Sequence, residues 1–483
     1  MTALPAVLMQ RVFLNLANSV KCRLWVSDGK LLESRWPDGL LWVPIQDLTL
    51  WGMMRIRALM LVILVVMLGD LVFRGVVPSF TAGKNDFTDP FVASWLWRHG
   101  NNPYDVAQAT VAGKALTESP MRVVPIYPPT TYLLVSPFSL LSWHWANLVL
   151  ATLETIAVCG MALCVVALSR KALRDNRAWV IVTLVLAFAS FHTAVHVANI
   201  SVISTVLCAL AVLLASRNSD LGAGSLLGVA TCLKPHLGVW LFAFYLLRRK
   251  WQLISAGIVS GLLLLAASFA RIGPPVKTVL SNYSANLHYW FRPGGQNDFG
   301  LANPIRFDLA NFQVVLDPLL GRSTANVVAY GLAAVGFLLW MYAVYRNPEC
   351  STALALSSVL ALSFLPVYHR VYDTGILTLV LAWIFGSAAD GADRVDVDDK
   401  QGSVKRVALV LFFLLMLPIQ SVAIRAQSYL SPQAVHTWWW NSVIAPYTSW
   451  TLLAFSSVLL YGLLVSPRAN DVPTPSLNAA AGG

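Results

Sequence analysis

Apolar runs recur along this chain from residue 58 almost to its end, separated by short basic turns and by three long polar loops. Runs able to cross about 30 Å of hydrocarbon are expected near residues 58–77, 145–168, 179–197, 200–215, 222–233 with 235–247, 252–270, 325–345, 351–367, 374–388, 407–424 and 449–465. The pieces 222–233 and 235–247 are each too short to cross at 1.5 Å per residue. Pro235 must break the helix between them, because it lacks an N–H and its ring clashes with the preceding turn. They form either a hairpin or one kinked helix. The expected fold is an all-α polytopic membrane protein with about 11–12 transmembrane helices, its outward loops carrying short amphipathic helices.

Composition agrees with that pattern. The chain has 483 residues, 57% of them hydrophobic and only 12% charged, where soluble domains average about 25% charged. The short alternating segments of a β-barrel are not seen. The net charge of +11 suits anionic headgroups and substrates. The basic residues are dispersed over many short loops, which disfavours nucleic acid as a partner.

Charge also predicts orientation. Arg170, Lys171, Arg174 and Arg177 crowd one short loop, Arg248, Arg249 and Lys250 another, and Arg394, Lys400, Lys405 and Arg406 a third. With these loops cytoplasmic, the long loops 78–144, 272–324 and 425–448 face outward. Residues 1–57 are then a cytoplasmic extension, 58–466 the membrane domain and 467–483 a disordered cytoplasmic tail. No cleavable signal peptide is apparent. Met53-Met54-Arg55-Ile56-Arg57 resembles a natural start, which would make residues 1–52 either a variable extension or a stretch ahead of the true start. None of the six cysteines falls in an outward loop, so disulfides are not expected. No metal-ligand spacing stands out, and neither a metal nor a cofactor is expected.

The unusual polar residues converge on the outward face. Asn85-Asp86-Phe87-Thr88-Asp89-Pro90 follows the first span, and Asn101-Asn102-Pro103-Tyr104-Asp105 and Tyr127-Pro128-Pro129 lie in the same loop. Lys234 sits at the break before Pro235, and His369, Arg370, Tyr372 and Asp373 occupy a short outward turn. Ionisable groups at such positions tend to mark substrate sites. Several have structural duties instead. Asp89 before Pro90 fits a helix N-cap, and Asp105 with Gln108 fits a capping pair for a helix over 106–117. Trp438-Trp439-Trp440 fits an aromatic belt, and the acidic stretch 390–399 a solvated loop. Asp86 has no capping duty, and Asp298, in Asn297-Asp298-Phe299 beside Gly294-Gly295, is its rival as a base. The glycines suggest a mobile cover over an acceptor.

Asp86-Phe87, then Gly100-Asn101-Asn102-Pro103-Tyr104-Asp105, then Tyr127-Pro128-Pro129 before an apolar run, resembles the opening of glycosyltransferase family 87, of the multi-spanning GT-C superfamily. The segment 228–251 resembles the family's Lys-Pro segment followed by a basic turn. Tyr368-His369-Arg370-Val371-Tyr372-Asp373 resembles its late outward histidine motif. The resemblance implies inverting transfer of a hexose, with mannose among the candidates, from a polyprenyl-phosphate donor to a lipid or glycan acceptor. It places the reaction on the outer side of a bacterial cytoplasmic membrane. In that chemistry Asp86 is the general base. Arg370, His369 and Lys234 hold the leaving phosphate, and Asn101, Tyr104, Tyr127 and Tyr372 line the sugar site. The competing functions are a transporter or flippase of a lipid-linked sugar and a non-catalytic envelope scaffold. A transporter would place its ionisable groups near the midplane and show internal repeats, and no repeat is seen.

Overall fold

A computed structural model describes residues 45–79, 85–117, 121–348, 350–366, 368–386, 395–417 and 419–466. Most of the extension 1–57, the start of the acidic stretch at 390–394 and the tail 467–483 lie outside the described residues. The chain divides into two compact units, Met1–Arg55 and Ile56–Gly483. The first is described only from residue 45, as helix. All that follows concerns the second.

The protein is an all-α polytopic membrane protein, with no strands among the described residues. Five helices are long and apolar enough to cross a membrane: Arg57–Ser79, Trp143–Leu168, Trp251–Arg271, Arg322–Arg346 and Tyr447–Leu464. A sixth span forms if Asn176–Leu186 and Ala189–His196, bent by 42° at their junction, count together. The expected continuous run 179–197 is therefore broken, with Ala187-Phe188 between the two helices. The remaining apolar helices are shorter: Ser201–Ser216, Asp220–Leu233, Pro235–Leu247, Thr352–Ser363 and Val371–Phe385. The last departs from the regular span expected over 374–388, because residues Val371–Leu379 wind as a 3-10 helix before Val380–Phe385 becomes α-helical.

Small residues set the closest packing. A side chain at Gly224 or Gly228 would collide with the backbone of Leu253 or Gly257 on Trp251–Arg271, so the two helices touch backbone to backbone. Membrane helices associate through such contacts because lipid offers no hydrophobic driving force between them. The central core is apolar, with Phe188, Phe191, Phe244, Trp340, Phe364, Phe412 and Phe455 among its buried rings. Val62, Val65, Val66, Leu262 and Leu263 remain exposed, as lipid-facing positions of outer helices do.

The break at Lys234 is built by two distant segments. Pro235 opens the next helix, and the carbonyls it frees need new donors. Thr130 and Thr131 supply them: their hydroxyls donate to Cys232 O at 2.8 and 3.1 Å, and Thr131 also reaches Leu233 O at 3.1 Å. The segment after Tyr127-Pro128-Pro129 thus holds the broken pair in place.

Candidate active site

Asp86 is positioned by the turn on either side of it. The Asn85 side chain accepts from Phe87 N at 3.1 Å, and Asn85 N donates to Thr88 Oγ1 at 3.1 Å. These bonds start the helix Thr88–Arg98. Asp89 therefore sits inside the first turn and is not the N-cap expected from its proline. Asp105 does cap: its Oδ1 accepts from Ala107 N and Gln108 N at 3.0 and 3.1 Å, and Gln108 Nε2 donates to Oδ2 at 3.1 Å. The helix it opens runs Val106–Thr117.

Asp86 N donates to Val197 O at 2.9 Å, which fastens its loop to the turn before Ser201–Ser216. In that turn buried Ala198 adopts a left-handed φ of 51°, a conformation L-residues avoid unless neighbours impose it. Next to it, Asn199 Nδ2 donates to Asp86 Oδ2 at 2.9 Å. Asn199 Oδ1 faces the other way and accepts from Ser201 N at 3.0 Å. Ser201 Oγ lies 2.5 Å from Asn199 Oδ1 and 2.7 Å from Asp373 Oδ1, and it accepts from Lys234 Nζ. Its single proton serves one of the two acceptors at a time. A continuous polar path thus runs from Asp86 to Lys234.

Lys234 is only 5% exposed, and its ammonium lies 2.8 Å from Asp373 Oδ1 and 5.0 Å from the centroid of the Tyr372 ring. The other carboxylate oxygen, Asp373 Oδ2, faces His236 Nε2 at 3.4 Å and His369 Nδ1 at 3.8 Å. Ligand atoms of His236, His369 and Asp373 all fall within 4.8 Å of one another. That spacing fits a cation, but Lys234 already sits on the same carboxylate. A dication there would stand beside a buried ammonium that already compensates this carboxylate.

His369 does not join the cations expected of it. It is fully buried, and burial, opposed by Asp373, pushes its pKa down to about 4. The imidazole is therefore neutral at neutral pH, and only Lys234 and Arg370 of the expected trio bring positive charge.

Arg370 is tied by Nε to Tyr368 Oη at 2.9 Å, and its backbone N donates to Asp373 Oδ2 at 3.2 Å. The loop over 296–313 braces this turn. An isolated antiparallel bridge joins Leu309 to Arg370, and Ala310 N donates to His369 O at 2.8 Å. Asp86 is among the charges acting on Arg370, so the two groups lie within electrostatic reach. Burial raises the Asp308 carboxyl in the same loop, with Arg370 opposing it and Asp86 adding to it. Tyr127 is pushed well above an ordinary tyrosine, first by burial and then by the Asp86 charge. Asp86 and Arg370 also act electrostatically on Tyr372. Asp86, Tyr127, Lys234, His369, Arg370 and Tyr372 are thus brought together.

Two other expected residues share no hydrogen bond with Asp86, Lys234 or Arg370 among the described residues. Tyr104 is buried between Tyr132 and Tyr283 and donates to Tyr127 O at 2.7 Å, so it supports Tyr127 from behind. Asn101 follows the Gly100 turn at the end of Thr88–Arg98, where Gly273 N donates to Gly100 O. Asp298, the rival base, is fully engaged. Its Oδ1 accepts from Gly300 N at 2.9 Å and pairs with Arg322, and its Oδ2 accepts from Gly294 N at 2.7 Å. That clamp fixes the glycine-containing loop to the helix Arg322–Arg346, which a freely mobile cover would not show.

Asn199, Ser201, His236 and Asp308 are not singled out by the sequence, and Tyr368 enters there only as part of a motif. The first carried a signal, a polar residue in the short turn between two apolar runs. His236 sits two residues from Lys234 and carried a weaker one.

Residues 126–367 match glycosyltransferase family 87, half of the chain, and the protein belongs to that family of glycosyltransferases. The matched segment contains Tyr127, Asn199, Ser201, Lys234 and His236, while Asp86, His369, Arg370 and Asp373 lie outside it. No curated protein matches the chain.

Proposed function

We propose that this protein is an inverting GT-C glycosyltransferase that moves a hexose from a polyprenyl-phosphate donor to a lipid or glycan acceptor. The reaction takes place on the outer side of the cytoplasmic membrane. Asp86 accepts the proton of the acceptor hydroxyl as its oxygen attacks the anomeric carbon. The bond from that carbon to the phosphate oxygen breaks, and its electron pair leaves with the polyprenyl phosphate. Lys234 and Arg370 stabilise the charge that develops there, so no metal is required. Neutral His369, with His236 beside it, is suited to hydrogen-bonding the phosphate. Tyr127 and Tyr372 flank the sugar, and Asn199 holds Asp86 in position.

One observation carries this proposal. Asp86 and Lys234 belong to a single hydrogen-bonded framework, Asp86–Asn199–Ser201–Lys234–Asp373. A base and a phosphate-binding cation are thereby held at a fixed separation, as preorganised catalysis demands. The test is transfer of labelled sugar from polyprenyl-phosphate donors to a membrane extract by purified protein. Transfer that survives in detergent and disappears with Asp86→Asn supports the proposal. Equal transfer by wild type and variant removes Asp86 from the mechanism, and lipid movement across vesicles without a new glycosidic bond favours a flippase.

A further inference from the structure

Glu154 lies within the apolar Trp143–Leu168 helix and is 0% exposed, yet neither carboxyl oxygen has a hydrogen-bond partner among the described residues. Burying such a group without partners is unfavourable, and an ionisable side chain inside a span marks function more often than packing. Its helix shows what it faces. Asn147 lies seven residues earlier and hence on the same face, where Leu150, Ala151 and Val158 are also buried. Asn147 Oδ1 accepts from Asn85 Nδ2 at 2.8 Å, beside Asp86, while its own Nδ2 has no partner among the described residues. Glu154 is about 10 Å further along the axis. The charges that act on its carboxyl are Asp86 and Lys234, the proposed base and the proposed phosphate-holding cation.

In an inverting displacement the transferred ring sits between the base and the leaving phosphate oxygen, and its hydroxyls project sideways from that line. Glu154 feels both of those ends, is on neither one's hydrogen-bond path, and belongs to a helix packed against the one that carries Ser201. We propose that Glu154, aided by Asn147, reads the donor sugar: its carboxyl binds a ring hydroxyl and determines which sugar is transferred. Unpartnered carboxyl oxygens and an unpartnered amide match hydroxyls that donate and accept. The class of sugar is neutral and polyhydroxylated, since a uronic acid would set a carboxylate against Asp86. This inference rests on the transfer reaction proposed above.

The experiment uses the full-length protein in detergent, a membrane extract as the source of acceptor, and polyprenyl-phosphate mannose, glucose, galactose and arabinose, then single-deoxy forms of the donor that is transferred. Glu154→Leu and Glu154→Gln should melt at or above the wild-type temperature, because no internal hydrogen bond is lost. Their kcat/KM for the donor should fall about 5- to 100-fold, the loss expected when a buried sugar hydroxyl is left without its partner. One deoxy donor should be penalised with wild type and not further penalised with Glu154→Leu. Wild-type kcat/KM in both variants overturns the assignment. So does a Glu154→Leu protein that melts well below wild type and retains every deoxy penalty, since that is a structural role. If the wild type neither transfers from any donor nor melts higher in its presence, the transfer reaction itself fails and this inference falls with it. That failure is recognisable because it appears in the wild type rather than in the variants.

Discussion

Removing either member of the Lys234–Asp373 pair should destabilise the protein more than removing both. The ammonium and carboxylate lie 2.8 Å apart and are 6% and 1% exposed at their side chains, so each is the other's main compensation for leaving water. At an effective dielectric of about 20, their attraction is about 6 kcal/mol. Desolvation of the two ions offsets much of that, leaving a small net contribution. Truncating one partner leaves the other buried and uncompensated, which costs about 3–5 kcal/mol. Asp373→Leu strands the ammonium with Ser201 as its remaining partner. Lys234→Met strands the carboxylate between His236 and His369. The double variant strands neither. Melting in detergent should therefore rank wild type highest, then the double variant, then both single variants. Transfer activity should be lost in all three, since the cation is absent or misplaced. Strictly additive melting shifts, with the double variant lowest, would refute the coupling and with it the claim that these charges form one unit.

Asp86→Asn should reduce transfer by about 10²–10⁴-fold with little change in melting, whereas Asp298→Asn should mainly lower melting, because Asp298 holds Gly294, Gly300 and Arg322 together; steady-state rates beside melting curves separate the two. His369 has a pKa lowered from 6.5 to about 4, so between those values the unfolded chain binds the additional proton. Stability should be unaffected by His369 above about pH 6.5, then fall as the pH drops toward 4 by about 3 kcal/mol in all; His369→Gln should flatten that part of a melting-against-pH series. Thr131→Val withdraws a donor shared by Cys232 O and Leu233 O. It should cost about 1–3 kcal/mol and reduce transfer by displacing Lys234, read as a lower melting temperature together with a lower kcat.

Much of the fold was legible because a membrane imposes a strong one-dimensional pattern. Runs of apolar residues named the five long spans but also offered shorter helices as spans, Pro235 named the break, and the Asp105–Gln108 pair named a helix start to the residue. Such features are local: propensity, capping and hydrophobic length act within a few turns. The bend between Leu186 and Ala189 escaped notice because no proline or glycine marks it. The 3-10 winding after Arg370 escaped too, being pinned by Leu309 and Ala310 from a distant loop.

The site divides along the same line. Residue types alone nominated Asp86, Tyr127, Lys234, His369, Arg370 and Tyr372, since charged and aromatic groups beside apolar runs are conspicuous. Which of them share a framework depended on contacts between segments more than a hundred residues apart, such as Asn199 with Asp86 and Lys234 with Asp373. Charge state likewise needed three dimensions. His369 is neutral because the fold buries it, and Asp298 is committed because Arg322 and two glycine amides surround it. Sequence order fixes what can be bonded locally, whereas desolvation and Coulomb interactions depend on distances that only the packed chain defines.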